Sequence, residues 1–152
     1  MNVSLTEISP ASSEARQLFK LLDEHNLSHC PPEVCNLLQP EEMEAIESIL
    51  FGVFCHGVLS AIGGLKFHPD YAEVTRMYVK EEHRGQGFAR CLLERLKQEA
   101  VSRNISVLKL ETSENFKSAM NLYTRHGFEL CAPFGEYVDR PWNTYMHWRD
   151  GS

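Results

Sequence analysis

The 152-residue sequence predicts a mixed α+β domain, and three observations carry that prediction. Segments with apolar residues at helical spacing alternate with segments rich in β-formers, in the order βα(α)βββαβαββ. Apolar residues make up 43% and charged residues 24%, the balance of a chain that buries a core rather than staying disordered. A glycine-bearing loop stands in mid-chain between a strand and a strongly amphipathic helix. The length fits one globular core, so residues 1–152 are expected to form a single domain.

The elements follow in order. Val3, Leu5 and Ile8 belong to a short opening strand. Ser9-Pro10 reads as a helix cap with proline at the first helical position. Ala15, Leu18, Phe19 and Leu22 then share one helical face. From Asn26 to Pro40 the pattern is broken by Pro31, Pro32 and Pro40. Gln39-Pro40-Glu41-Glu42 starts a short helix through Ile46. Ile49 to Cys55 and Val58 to Phe67 read as strands, joined by His56-Gly57 as a tight hairpin turn. Tyr71 to Val79 is a further strand. After the glycine loop, Ala89, Leu92, Leu93, Leu96 and Ala100 mark one face of a long helix. Ile105 to Glu111 is a strand. Asn115 to His126 is a second amphipathic helix, with Ala119, Leu122 and Tyr123 on its stripe and Gly127 as C-cap. Phe128 to Leu130 and Thr144 to Trp148 close the pattern as strands.

Composition excludes several function classes. There are 15 Lys+Arg against 21 Asp+Glu, a net charge of −6. Coating a nucleic-acid backbone needs clustered positive charge, so no nucleic-acid partner is expected, although a local basic pocket is compatible with this balance. The net charge offers at most weak steering of cationic small molecules. No run approaches the roughly 18 apolar residues of a membrane helix, and the first residues lack the basic-then-apolar order of a secretory signal. Cys30, Cys35, Cys55, Cys91 and Cys131 are odd in number and scattered, as reduced thiols in a cytoplasmic protein would be. Cys30 and Cys35 could pair on a metal, but no second pair stands at ligand spacing, so no metal is expected.

The most informative segment runs from Met77 to Arg90. A strand leads into His83-Arg84-Gly85-Gln86-Gly87, which opens directly into a helix. Helix N-termini carry unpaired N–H groups and partial positive charge. Gly85, Gly87 and the small Ala89 allow a phosphate to approach those groups closely, and Arg84 adds a cation. A pyrophosphate is the suggested ligand. A P-loop would need Lys-Ser/Thr where Phe88-Ala89 stands. A dinucleotide fold would need a third glycine and an opening βαβ unit.

The segment resembles the GNAT superfamily of N-acetyltransferases, whose Arg/Gln-x-x-Gly-x-Gly/Ala signature is matched around Arg84-Gly85-Gln86-Gly87-Phe88-Ala89. Upstream, Ala72 to Val79 is similar to the family's splayed central strand. Downstream, Ala119-Met120-Asn121-Leu122-Tyr123 with Gly127-Phe128 is similar to its second signature. The match runs from about Val53 to Leu130, roughly half the chain. The resemblance implies a twisted, mostly antiparallel sheet of six to seven strands flanked by helices. It implies acetyl-CoA, or another acyl-CoA, as donor. Backbone N–H groups from Arg84 to Ala89 would bind the pyrophosphate, while Met77, Tyr78 and Val79 would pair with the pantetheine arm. The family often places Asn three residues before the signature alanine. Here Phe116 stands there, with Asn115 beside it as the substitute donor-binding residue. A late strand of this fold can join a partner's sheet, so a possible homodimer is expected.

The chemistry then sets requirements. A lysine-like amine has a pKa near 10.4, and deprotonating it at pH 7 costs roughly 4–5 kcal/mol. A general base matters, an oxyanion must be stabilised, and the leaving thiolate must regain a proton. The resemblance implies Tyr123 as the acid; packing on its helix stripe is the other reading. It implies Glu73 as the base; a solvent-facing carboxylate or cross-strand partner is the other reading. Strand alternation puts Glu73, Thr75 and Met77 on one side and Arg76 on the other. His68 and His83 are weaker candidates. Cys91 lies in the helix after the loop with no neighbouring histidine, so a covalent route is not expected. The expected activity is direct acyl transfer to a primary amine on a small molecule or peptide. A non-catalytic acyl-CoA-binding or regulatory module on the same fold is the alternative.

Overall fold

The structure, a computed structural model, describes residues 2–30, 37–113, 116–135 and 143–151. Seven strands form one sheet in the order β1-β2-β3-β4-β5-β7-β6. They are β1 (Val3–Ile8), β2 (Ser48–Cys55), β3 (Val58–Phe67), β4 (Ala72–Val79), β5 (Val107–Ser113), β6 (Glu129–Leu130) and β7 (Asn143–Arg149). All neighbours pair antiparallel except β4 and β5, which run parallel. The late strand β7 fills the sheet between β5 and β6.

Helices cover both faces. On one side, α3 (Phe88–Ser102) presents Leu92, Leu93, Leu96 and Ala100, all fully buried, against Val74, Leu108 and Leu110. Each buried leucine contributes roughly 1.5–3 kcal/mol of transfer free energy. Helix α4 (Lys117–Arg125) adds Tyr123 to the same cluster. On the other side, α1 (Ser13–His29) and α2 (Pro40–Glu44) pack Ala15, Leu18, Phe19 and Met43 onto Leu50, Leu59 and Ile62.

Local chemistry refines several boundaries. Helix α1 is capped by Ser12, whose Oγ accepts from the Ala15 N–H at 3.1 Å, rather than by Ser9. Ser9 instead accepts from the Ala11 N–H within a turn. The helix runs past the expected break at Asn26 to His29, because no helix breaker precedes Pro31. It stops at Cys30, whose extended backbone (φ −139°, ψ 149°) is what a following proline requires. Helix α2 ends at Glu44 rather than Ile46, with Pro40 at its first turn and Gln39 in a capping box with Glu42. His56 and Gly57, with φ of 51° and 79°, form the two-residue turn between β2 and β3.

The departure that matters most lies in β4. Its pairing with β3 shifts between Ile62↔Tyr78 and Gly64↔Thr75, which inserts one extra residue in β4. Arg76 occupies this bulge with φ +54°. Alternation therefore resets there. Met77 packs beneath α3 with Val74, not on the side of Glu73 and Thr75. Arg76 turns toward α1, where its guanidinium pairs with Asp23 and lies 4.8 Å from the Phe19 ring centre.

Candidate functional site

β4 and β5 are in register at only two pairs, Ala72↔Leu108 and Glu73↔Lys109. Beyond them the strands diverge and open a cleft of about 780 Å³. A bulge increases local strand twist, so Arg76 supplies a physical cause for the divergence. Met77, Tyr78 and Val79 line one side, Leu110 to Ser113 line the other, and the N-terminus of α3 stands at one end. An extended ligand arm can pair with such a strand edge as an added strand would.

The glycine loop is built as the sequence suggests. A 3-10 turn, Glu81–His83, leads to Gly85 and Gly87, both at φ +83°. Gly87 is the N-cap of α3, and no side chain caps the helix, so its first N–H groups are presented to the cleft. Arg84, Gly85, Gly87, Phe88 and Ala89 all line the cleft, whereas Gln86 is exposed outside that lining. Arg84 Nε donates to the Val79 carbonyl at 3.0 Å, and its guanidinium lies 5.6 Å from the Tyr78 ring centre. His83 also lines the cleft and stacks on Phe88 at 6.1 Å. Asn115, expected to contact the donor, lies outside the described residues, as does Cys35 of the cysteine pair; Phe116 lines the cleft.

The catalytic candidates separate into a front and a back. Tyr123 lines the cleft from α4 and is 7% exposed. Burial, and then the Glu111 carboxyl, push its hydroxyl well above the ordinary tyrosine range, so it stays protonated. Glu73 is 2% exposed and does not line the cleft among the described residues. Its Oε1 lies 3.3 Å from His68 Nε2 and 3.9 Å from Lys66 Nζ. His68 is stacked on Tyr71, 4.5 Å between ring centres, which leaves it a partner of Glu73 within this cluster. Cys91 is exposed on α3 and outside the cleft lining.

Sequence reasoning missed Glu111. It lines the cleft from β5, and burial together with the Glu73 carboxylate pushes its carboxyl up to about 8. A carboxyl so poised suits proton transfer near neutral pH. The signal was present: Leu108 and Leu110 face the core beneath α3, so alternation sends Lys109 and Glu111 to the side that Glu73 shares. Also missed was a ring cluster at the cleft mouth. His25 and His29 of α1 lie 4.6 Å apart between centres. They approach Phe116 at 5.7 and 5.4 Å, and His25 approaches Tyr78 at 6.3 Å. Phe116 lies 91 residues from His25 and Tyr78 lies 53 from it, beyond the reach of any local pattern.

Among the described residues no helix is long and apolar enough to cross a membrane, and no group of three or more His, Cys, Asp or Glu could hold a metal ion.

Comparisons with known proteins point one way. Residues 14–128 match the acetyltransferase (GNAT) family. An IAA acetyltransferase of Azospirillum brasilense is 30% identical over 147 residues, covering 95% of this chain and 96% of that protein. The uncharacterized N-acetyltransferase YsnE of Bacillus subtilis is 30% identical over 137 residues, covering 86% of this chain and 91% of that protein. A crystal structure from Klebsiella pneumoniae, assigned to the acyl-CoA N-acyltransferases, superposes with a TM-score of 0.80 at 26% identity, covering 97% of each chain. Family match and full-length relatives agree with the splayed strands and the glycine-capped helix: this chain belongs to the acetyltransferase (GNAT) family and is an acyltransferase.

Proposed function

We propose that the protein transfers an acetyl group from acetyl-CoA to a primary amine by direct attack in a ternary complex. The observation that carries this reading is the convergence on one cleft of a helix N-terminus with no side-chain cap, a carboxyl poised near 8 and a phenol held protonated. The N–H groups from Arg84 to Ala89 hold the donor pyrophosphate, and Met77 to Val79 receive the pantetheine arm. A strand N–H polarises the thioester carbonyl. The amine nitrogen forms its bond to the carbonyl carbon and yields a proton to Glu111. The carbon–sulfur bond then breaks, and the departing thiolate takes the Tyr123 proton. Glu73, the base candidate read from sequence, stands behind Glu111 and adds to the rise in proton affinity that burial causes, held in place by Lys66 and His68. The amine acceptor is a small molecule or a peptide.

The test is an amine screen with acetyl-CoA, reading thiol release, followed by a kcat/KM profile from about pH 6 to 10. Wild type is expected to rise through about 8, the Glu111 value. Glu111→Gln is expected to lose this limb and recover partly at high pH, where the amine deprotonates itself. A limb lost in Glu73→Gln but retained in Glu111→Gln returns the base role to Glu73. Slow donor hydrolysis with no amine-stimulated thiol release would identify a non-catalytic acyl-CoA-binding module instead.

A further inference from the structure

The cleft carries a charge pattern opposite to that of the whole chain. The protein is net −6, yet the charged side chains lining the cleft among the described residues are Arg76, Arg84, Arg90, Arg125 and a single carboxyl, Glu111. Glu111 is held largely protonated at pH 7. Arg76 is paired with Asp23 and Arg90 with Glu94, and no ionised carboxylate among the described lining residues is offered to a cationic acceptor body.

What the mouth offers is rings. Tyr78, Phe116 and His25 are each partly exposed and His29 is exposed, and together they bridge from α1 and β4 to the start of α4. Burial, His29 and Arg84 hold His25 below the usual histidine range, so it presents a neutral imidazole face. Phe116 is the second, independent sign. It occupies the N-cap of α4 and caps nothing. Ser, Thr, Asp or Asn would cap the helix there; the phenyl ring instead meets the rings of His25 and His29 and stays partly exposed. A flat apolar ligand extends this ring cluster, because ring pairs gain about 0.5–1.5 kcal/mol beyond their area burial.

Resting on the acetyl-transfer reading above, we infer that the acceptor is a primary amine carried on an uncharged aromatic body, which packs against Phe116 and His25 at the cleft mouth. Phe116 is then a specificity-determining residue of this enzyme. The experiment compares phenethylamine, hexylamine and spermidine as acceptors with acetyl-CoA, for wild type, Phe116→Leu and Phe116→Ala. Wild type is expected to favour phenethylamine over spermidine by tenfold or more in kcat/KM. Phe116→Leu keeps apolar bulk and loses the ring, and should reduce the phenethylamine-to-hexylamine ratio by roughly 2–12-fold, expressed mainly in KM. Phe116→Ala should reduce it at least as far. The thermal shift with acetyl-CoA should be unchanged in both variants, which also reports that they fold. A spermidine preference overturns this inference while leaving acetyl transfer intact. So does a weakened acetyl-CoA shift with an unchanged acceptor ratio, which would make the rings part of the donor site. Absence of thiol release with all three amines, alongside a normal acetyl-CoA shift, would fail the acetyl-transfer reading itself.

Discussion

The two halves of the cleft are built on different principles. The proposed phosphate half is one continuous segment, Arg84 to Ala89, exposed for most of its length and built around two glycines that leave its backbone uncovered. The proposed proton-transfer half is assembled from separate elements: Tyr123 from α4 and Glu73 from β4, both buried, and Glu111 from β5, half-buried, each shifted or pinned by its surroundings. In the proposed mechanism the first half works by leaving backbone N–H groups reachable, with the Arg84 N–H itself donating to the Glu81 carbonyl. The second works by withdrawing Tyr123 and Glu111 from water until their proton affinities change. Binding of a constant donor suits a local, solvent-facing device, while proton transfer needs the low-dielectric surroundings that only a folded core supplies.

The largest expected effect tests the buried half. Tyr123→Phe removes one hydroxyl that burial keeps protonated. If this hydroxyl returns the proton to the thiolate, kcat should fall by roughly 10²–10⁴-fold with little change in acetyl-CoA affinity. Steady-state kinetics paired with a donor titration check this. Unchanged kcat would leave Tyr123 as a packing residue and erase the division between the halves.

The next effect tests the exposed half. Donor at about 100 times its dissociation constant should stabilise the protein by roughly 2.7 kcal/mol, or about 5–10 °C in Tm for a chain of this size. Gly87→Glu should abolish the shift. It places a negative side chain at the phosphate path and a Cβ at φ +83°, where no neighbouring atom would be struck but the backbone itself resists a side chain. A shift with ATP or NADH and none with acetyl-CoA would mean the loop serves another phosphate.

The smallest effect concerns stability. Glu111 titrates near 4.5 when unfolded and near 8 when folded. Below pH 4.5 both states hold the proton, so ionisation favours neither. Between about 4.5 and 8 the unfolded chain ionises while the folded one stays protonated, so stability falls as pH rises across that window. Glu111→Gln should remove this fall, raising Tm by a few degrees at pH 8 and leaving it nearly unchanged at pH 4.5. Glu73→Gln removes the charge that helps raise Glu111 and leaves Lys66 and His68 facing a neutral amide, so it should lower Tm and move the activity limb to lower pH. Thermal melts across pH for both variants separate the two carboxyl roles.

Much of this protein is local in origin and therefore readable in the chain itself. Helical spacing of Leu92, Leu93 and Leu96, the His56-Gly57 turn and the Gly85/Gly87 loop each depend on residues within a turn or two. Short-range sterics and hydrogen bonds decide them wherever they sit. The α1 cap was misplaced by three residues because Ser9 and Ser12 both carry a cap-forming side chain, and only the path of the chain selects Ser12. Tertiary structure alone decided the rest. The bulge at Arg76 is drawn toward Asp23 and Phe19, more than 50 residues away, and it moves Met77 to the opposite face of the sheet. Glu111 looked like an ordinary strand carboxylate until β5 ran parallel to β4 and brought it near Glu73. A proton affinity depends on the water and charge surrounding a group, and those surroundings exist only once distant strands meet.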